Sequence, residues 1–148
     1  MSDRYFIDTN IFVYAFDKTN TDKQQIANGL IKKAVSELVG CISFQVIQEF
    51  INVSTRKFEI PLSIEDCRKY LDAVLSPLCA VFTSLELYHR SLDIMARWRF
   101  SFYDSLIIAA ALQAKCNILF SEDLQHNQKI ESITICNPFE TGGMGAST

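Results

Sequence analysis

The 148-residue sequence predicts an α/β fold: three α/β/α layers around a central, mainly parallel sheet of four to five strands. Three observations predict it. Short apolar runs alternate with longer segments of helical periodicity, the pattern of strands covered on both faces by crossover helices. No internal repeat, low-complexity tract or linker divides the chain, so a single domain accounts for residues 1–139. Hydrophobic residues make up 49% and charged residues 21%, the ordinary balance of a compact soluble domain with a buried core.

The elements follow in order. Arg4 to Ile7 is a short β-favouring run, and Thr9 or Asn10 can cap the helical turn after it. Asp22 can cap a second helix, in which Ile26, Leu30, Ile31, Ala34, Val35 and Leu38 recur at helical spacing, with Gly40 ending it. Cys41 to Ser43 reads as a strand, and a helix from about Phe44 to Phe58 follows until Pro61 breaks it. Ser63 to Asp66 resembles the cap of a helix running to Leu75, which Pro77 stops before a strand near Ala80 to Phe82. Thr83-Ser-Leu-Glu86 matches a capping box opening a helix to about Trp98. Ser101 precedes the apolar helix Ser105 to Lys115, then Cys116 to Phe120 and Ser132 to Cys136 read as strands. The small, polar residues 140–148 predict a disordered tail.

Charge and cysteine usage narrow the function classes. A net charge of −3 and a pI near 5.3 argue against a protein that grips long nucleic acid through many phosphates, though not against a local basic patch. The five cysteines stand singly in apolar segments without CxxC spacing, which fits reduced thiols in a cytoplasmic protein better than a disulfide framework or a zinc site. His89 and His126 form no HxxxH pair. The N-terminus lacks the regions of a signal peptide, and the longest apolar stretch, Leu106 to Leu112, is too short to span a bilayer. No membrane association is expected.

Four acids hold the remaining information. Asp8, Asp104 and Asp123 each lie where an apolar segment meets a polar turn, and Glu49 sits within the apolar helical run Phe-Gln-Val-Ile-Gln-Glu49-Phe-Ile. In a parallel sheet the site lies beyond the carboxyl ends of the strands. Asp8 and Asp123 follow strands directly, and the two helical acids can be presented to the same edge. Carboxylates so placed are either helix caps and solvated ends or a cluster for a hard cation such as Mg2+ or Mn2+. Four carboxylates packed together without a cation would force one to take a proton.

The motifs around these acids resemble those of the PIN domain family of metal-dependent nucleases. Asp8-Thr9-Asn10 after a strand is similar to the opening motif, and Gln48-Glu49-Phe50 in a helix to the second. Phe102-Tyr103-Asp104-Ser105-Leu106-Ile107, with Ala109 and Ala110, resembles the third. Ser121-Glu122-Asp123 resembles the fourth, and Ile135 to Phe139 is also family-like. Any one motif is weak, but four in order from Tyr5 to about Phe139 are specific. Domains of this length resemble the VapC-type toxins of toxin–antitoxin pairs.

The resemblance implies an endoribonuclease leaving 5′-phosphate and 3′-hydroxyl ends. Asp8, Asp104 and Asp123 would hold the metal, and Glu49 would orient or deprotonate the attacking water. Thr9, Asn10 and Ser121 would support the carboxylates through hydrogen bonds. The implied partners are an RNA substrate, a cognate antitoxin whose C-terminal segment enters the cleft, and a second copy in a homodimer. Glu122 is expected to be solvated. In Arg97 to Tyr103, arginines interleave with aromatics, a pattern suited to single-stranded RNA but more simply read as core or dimer contact. A PIN-like binding module without turnover is the alternative, and a missing acid would favour it; none is missing. A phosphoaspartate enzyme is disfavoured because Asn10, not Asp, stands two residues after Asp8.

Overall fold

The computed structural model describes residues 3–140. The expected tail therefore falls, apart from Glu140, outside the described residues. Strands β1 (Tyr5–Ile7), β2 (Gly40–Ser43), β3 (Cys79–Val81), β4 (Ile118–Phe120), β5 (Lys129–Ile130) and β6 (Ile133–Cys136) form one sheet in the order β3-β2-β1-β4-β6-β5. All neighbours are parallel except the β5–β6 pair. The mainly parallel α/β sheet matches the expectation, with one strand more than expected. Two-residue β5 carries too little pattern to be read locally; it exists because Glu131 takes a left-handed φ of 53° and folds the chain back against β6.

The helices are α1 (Thr9–Tyr14), α2 (Thr21–Glu37), α3 (Phe44–Arg56), α4 (Ile64–Tyr70), α5 (Ser76–Leu78), α6 (Leu85–Trp98) and α7 (Phe102–Gln113). Among them α1 packs against α2 and α3, while α6 packs against α7. A π-helical stretch, Leu71–Leu75, joins α4 to α5.

Several local signals resolve differently from expectation. Asn20, not Asp22, caps α2, its side chain accepting from the Lys23 N–H. Ser84, not Thr83, caps α6, accepting from the Leu87 N–H at 3.1 Å. Pro77 does not end the helical run near Leu75; the run continues from α4 through the π-helical stretch and short α5 to Leu78, directly before β3. Gly40 does not end α2 either. Leu38 takes the left-handed position there with φ 57°, and Gly40 is already paired to Tyr5 in β2. A Cβ on Gly40 would stand 2.4 Å from the Ala34 Cβ, so glycine is required by the close approach of α2 to the sheet.

The core is built on β1, whose three residues are all buried, and on α7, buried without interruption from Ser105 to Leu112. An aromatic cluster fills the space beside α1 and α3: Phe50 meets Phe12, Phe16, Phe58 and Tyr70 at centroid distances of 5.1–6.3 Å. Such pairs add about 0.5–1.5 kcal/mol each beyond area burial, which holds α3, and with it Glu49, rigidly against α1.

Candidate active site

Parallel register brings the first two pieces of the site together. Ile7 pairs with Phe120, which pairs with Cys136, so the strands end level. The next residues continue the ladder for one bond, Asp8 N–H donating to the Phe120 carbonyl at 3.0 Å and Ser121 N–H to the Cys136 carbonyl at 3.0 Å. Asp8 and Ser121 thus leave the sheet side by side, and the Ser121 hydroxyl donates to Asp8 Oδ2 at 2.7 Å. Asp8 is also the N-cap of α1, in place of the expected Thr9 or Asn10. Its Oδ1 accepts from the Thr9 N–H at 2.7 Å.

The two residues after Asp8 each hold another acid. Thr9 Oγ1 donates to Glu49 Oε1 at 2.6 Å, and Asn10 Nδ2 donates to Asp123 Oδ2 at 3.0 Å. The Ser121 hydroxyl also accepts from the Asp123 N–H at 3.3 Å. One strand end and one turn therefore position Asp8, Glu49 and Asp123 around a common edge. Asp104 stands in the first turn of α7, half-buried, its N–H capped by Ser101. No hydrogen bond joins its carboxylate to the other three among the described residues. Its link to them is indirect: Gln45 Nε2 donates both to Glu49 Oε2 and to the carbonyl of Tyr103, each at 3.3 Å.

Electrostatics single out Asp8. Burial pushes its carboxyl up to about 6, and the neighbouring Glu49 and Asp123 charges push the same way, against the hydrogen bonds from Ser121 and Thr9. A buried carboxylate strained by acidic neighbours, with oxygen donors only, is chemistry suited to a hard divalent cation. Yet among the described residues no set of three such side chains is already gathered to hold an ion. The predicted ligands Asp8, Asp104 and Asp123 form no closed cage: Asp123 is exposed and Asp104 belongs to a separate helix.

Glu122 is not solvated as expected. It accepts from the Tyr14 hydroxyl at 2.7 Å and pairs with Lys23, whose ammonium also lies 4.5 Å from the Tyr14 ring centre and 5.2 Å from that of Phe139. Lys23 and Tyr14 hold its carboxyl below the usual range against the effect of burial. This network ties the turn after β4 to α1 and α2, and it gives Glu122 a cationic partner, which Asp123 lacks among the described residues. Gln45 was not apparent from sequence, although its place four residues before Glu49 on one helical face is a readable signal. His126 accepts from the Asn137 N–H at 2.9 Å and His89 is exposed. In the Arg97–Tyr103 segment, Trp98, Phe100 and Phe102 pack against the core while Tyr103 is exposed.

The family model described as the PIN domain matches residues 5–130. A search of curated protein sequences gives no match. Among solved structures, a toxin–antitoxin complex from Klebsiella pneumoniae is similar with a TM-score of 0.62 at 16% identity, covering 88% of this chain and 95% of that one. VapBC2 from Rickettsia felis, bound to a DNA fragment from its promoter, gives 0.59 at 21% identity, covering 88% and 96%. Mycobacterium tuberculosis VapC20, a toxin that cleaves the sarcin–ricin loop, gives 0.59 at 18% identity, covering 80% and 91%.

Proposed function

Because the chain belongs to the PIN domain family, we propose that it is a divalent-cation-dependent endoribonuclease and the toxin of a type II toxin–antitoxin pair. One observation carries the reading. Buried Asp8 is fixed from two sides by Ser121 and the Thr9 N–H, while the Thr9 hydroxyl fixes Glu49. Two carboxylates are thereby held in place beside each other at the carboxyl edge of the sheet. The similarity to two toxin–antitoxin complexes and to a sarcin–ricin-loop-cleaving toxin supports the same assignment.

Asp8, Asp104 and Asp123 are the residues that would hold Mg2+ or Mn2+. When bound, the cation supplies Lewis-acid polarisation of the phosphate and charge stabilisation at the leaving oxygen. Glu49, held by Thr9 and Gln45, accepts the proton of the water that attacks phosphorus. The bond from phosphorus to the 3′-oxygen breaks, leaving 5′-phosphate and 3′-hydroxyl ends. Ser121 and Asn10 keep Asp8 and Asp123 facing the cleft. The partners are single-stranded RNA, a second copy of the chain, and an antitoxin whose C-terminal segment enters the cleft, all within the cytoplasm. Among the described residues no helix is long and apolar enough to cross a membrane.

The test is end mapping of total RNA after brief induction, alongside cleavage by the purified protein with Mg2+ or Mn2+. Asp8→Asn and Asp104→Asn are expected to abolish cleavage and growth arrest with the fold intact. Glu49→Gln is expected to lower kcat by about 10²–10⁴-fold, the usual contribution of a positioned proton acceptor. RNA left uncut by the wild type, with Asp8→Asn equally toxic, would refute the assignment.

A further inference from the structure

A pocket of about 210 Å³ opens beside the acidic edge, between the start of α3 and the starts of α6 and α7. Its walls combine aromatic rings with two polar side chains that each carry a buried oxygen without a partner among the described residues. Phe44, Tyr88, Phe102 and Tyr103 line it, with Tyr88 and Tyr103 exposed and the Phe102 ring 5.4 Å from Tyr103 and 6.1 Å from Tyr88. Ser43 and Gln45 line it too, only 3% and 8% exposed, and neither Ser43 Oγ nor Gln45 Oε1 has a hydrogen-bond partner among the described residues.

These two oxygens are unusual. Ser43 is the N-cap residue of α3, yet its hydroxyl makes no cap bond, although capping is the ordinary use of serine there. The amide of Gln45 has one orientation, since its nitrogen faces two acceptors, Glu49 Oε2 and the Tyr103 carbonyl. Its oxygen is thereby left as an acceptor needing a donor. A buried acceptor without a donor costs free energy, so both groups fit a ligand that brings hydrogen-bonding edges with it.

We propose that this pocket receives an unpaired nucleobase of the RNA flanking the scissile phosphate, stacked on the tyrosine and phenylalanine rings. The proposal deepens the ribonuclease reading and rests on it. Gln45 Oε1 accepts from a ring or amino N–H of the base, and the Ser43 hydroxyl completes the edge. Three features favour a base over a protein segment. The volume suits one planar ring system and lies below the range for larger ligands. The walls are uncharged, which suits a neutral base rather than a phosphate beside four acids. The pocket is also continuous with the cleft through Gln45, which touches both.

The test uses the full-length Asp8→Asn protein, unable to cut, with RNA trinucleotides carrying 2-aminopurine at each position in turn. Saturable quenching at one position is expected, with Tyr88→Leu weakening that binding by about tenfold, as for loss of one stacked base. In a parallel arm, wild type and Ser43→Ala cut a single-stranded RNA library randomised in sequence. Wild type is expected to prefer certain bases at one position beside the cut, and Ser43→Ala to flatten that preference. Cleavage without base preference and without quenching overturns the pocket while the nuclease stands. Quenching sensitive to Tyr88, with no cleavage by wild type, supports the pocket and refutes the nuclease. If Tyr88→Leu alters only self-association or binding of a partner protein, the pocket is a protein contact and the proposal fails.

Discussion

Asp8 carries three constraints at once: it ends a strand, caps a helix and stands buried beside two other acids. The first two are local, and the sequence Phe-Ile-Asp-Thr-Asn displays them openly. The third has an energetic consequence. With its folded value raised from 3.8 to about 6, the protonated form of Asp8 favours the fold. That contribution is present below about pH 4 and is lost as the pH rises through about 6. A rise from 3.8 to about 6 corresponds to at most about 3 kcal/mol. Asn imitates the protonated acid, so Asp8→Asn is expected to melt a few degrees above wild type at pH 7.5 without divalent ions. The gap should close by about pH 4, as thermal unfolding across that range will show; equal melting at pH 7.5 would contradict the strain. Glu49 was legible in part. An acid in an apolar helix demands a partner, but that Thr9 and Gln45 supply it follows only from the folded chain.

At the scale of elements, long amphipathic or apolar segments were readable and short ones were not. Helix α7 announces itself through eight consecutive buried residues, and Ser63 caps the helix it was expected to cap. Strand β5 was missed because two residues cannot display a period of two. Gly40 was misplaced because a glycine after an apolar helix ordinarily reads as its terminator. Packing assigns it another use, and Gly40→Ala is expected to cost about 1–3 kcal/mol through the overlap with Ala34. Urea unfolding should show a lower midpoint with an unchanged slope. A midpoint equal to wild type would mean that α2 can move away from the sheet without cost.

Across the whole molecule, an ion that binds only the folded state must stabilise it. Adding Mg2+ or Mn2+ at about ten times its dissociation constant is expected to contribute about 1.4 kcal/mol and raise the melting temperature by a few degrees. Chelation should reverse the rise and stop cleavage, and Asp104→Asn should blunt the rise. A melting temperature indifferent to both ions would contradict a cation site on this edge. The same measurement addresses Asp104, whose carboxylate no hydrogen bond joins to the other acids among the described residues. Its contribution to binding is measurable even if Glu49 alone governs the rate.

By itself the sequence determined the α/β class, the order of most strands and helices, and the four acids with their flanking Thr, Asn and Ser, because periodicity and capping are local properties of the chain. Tertiary structure decided which side chain holds which acid. The Thr9–Glu49 and Ser121–Asp8 hydrogen bonds span 40 and 113 positions, and only the parallel register of β1 against β4 and the packing of α3 on α1 bring them within reach. It also decided that Lys23 pairs with Glu122 while the Tyr14 hydroxyl donates to it, that Gln45 bridges α3 to α7, and that Asp104 stands apart. These outcomes depend on distances between elements, which local pattern does not encode.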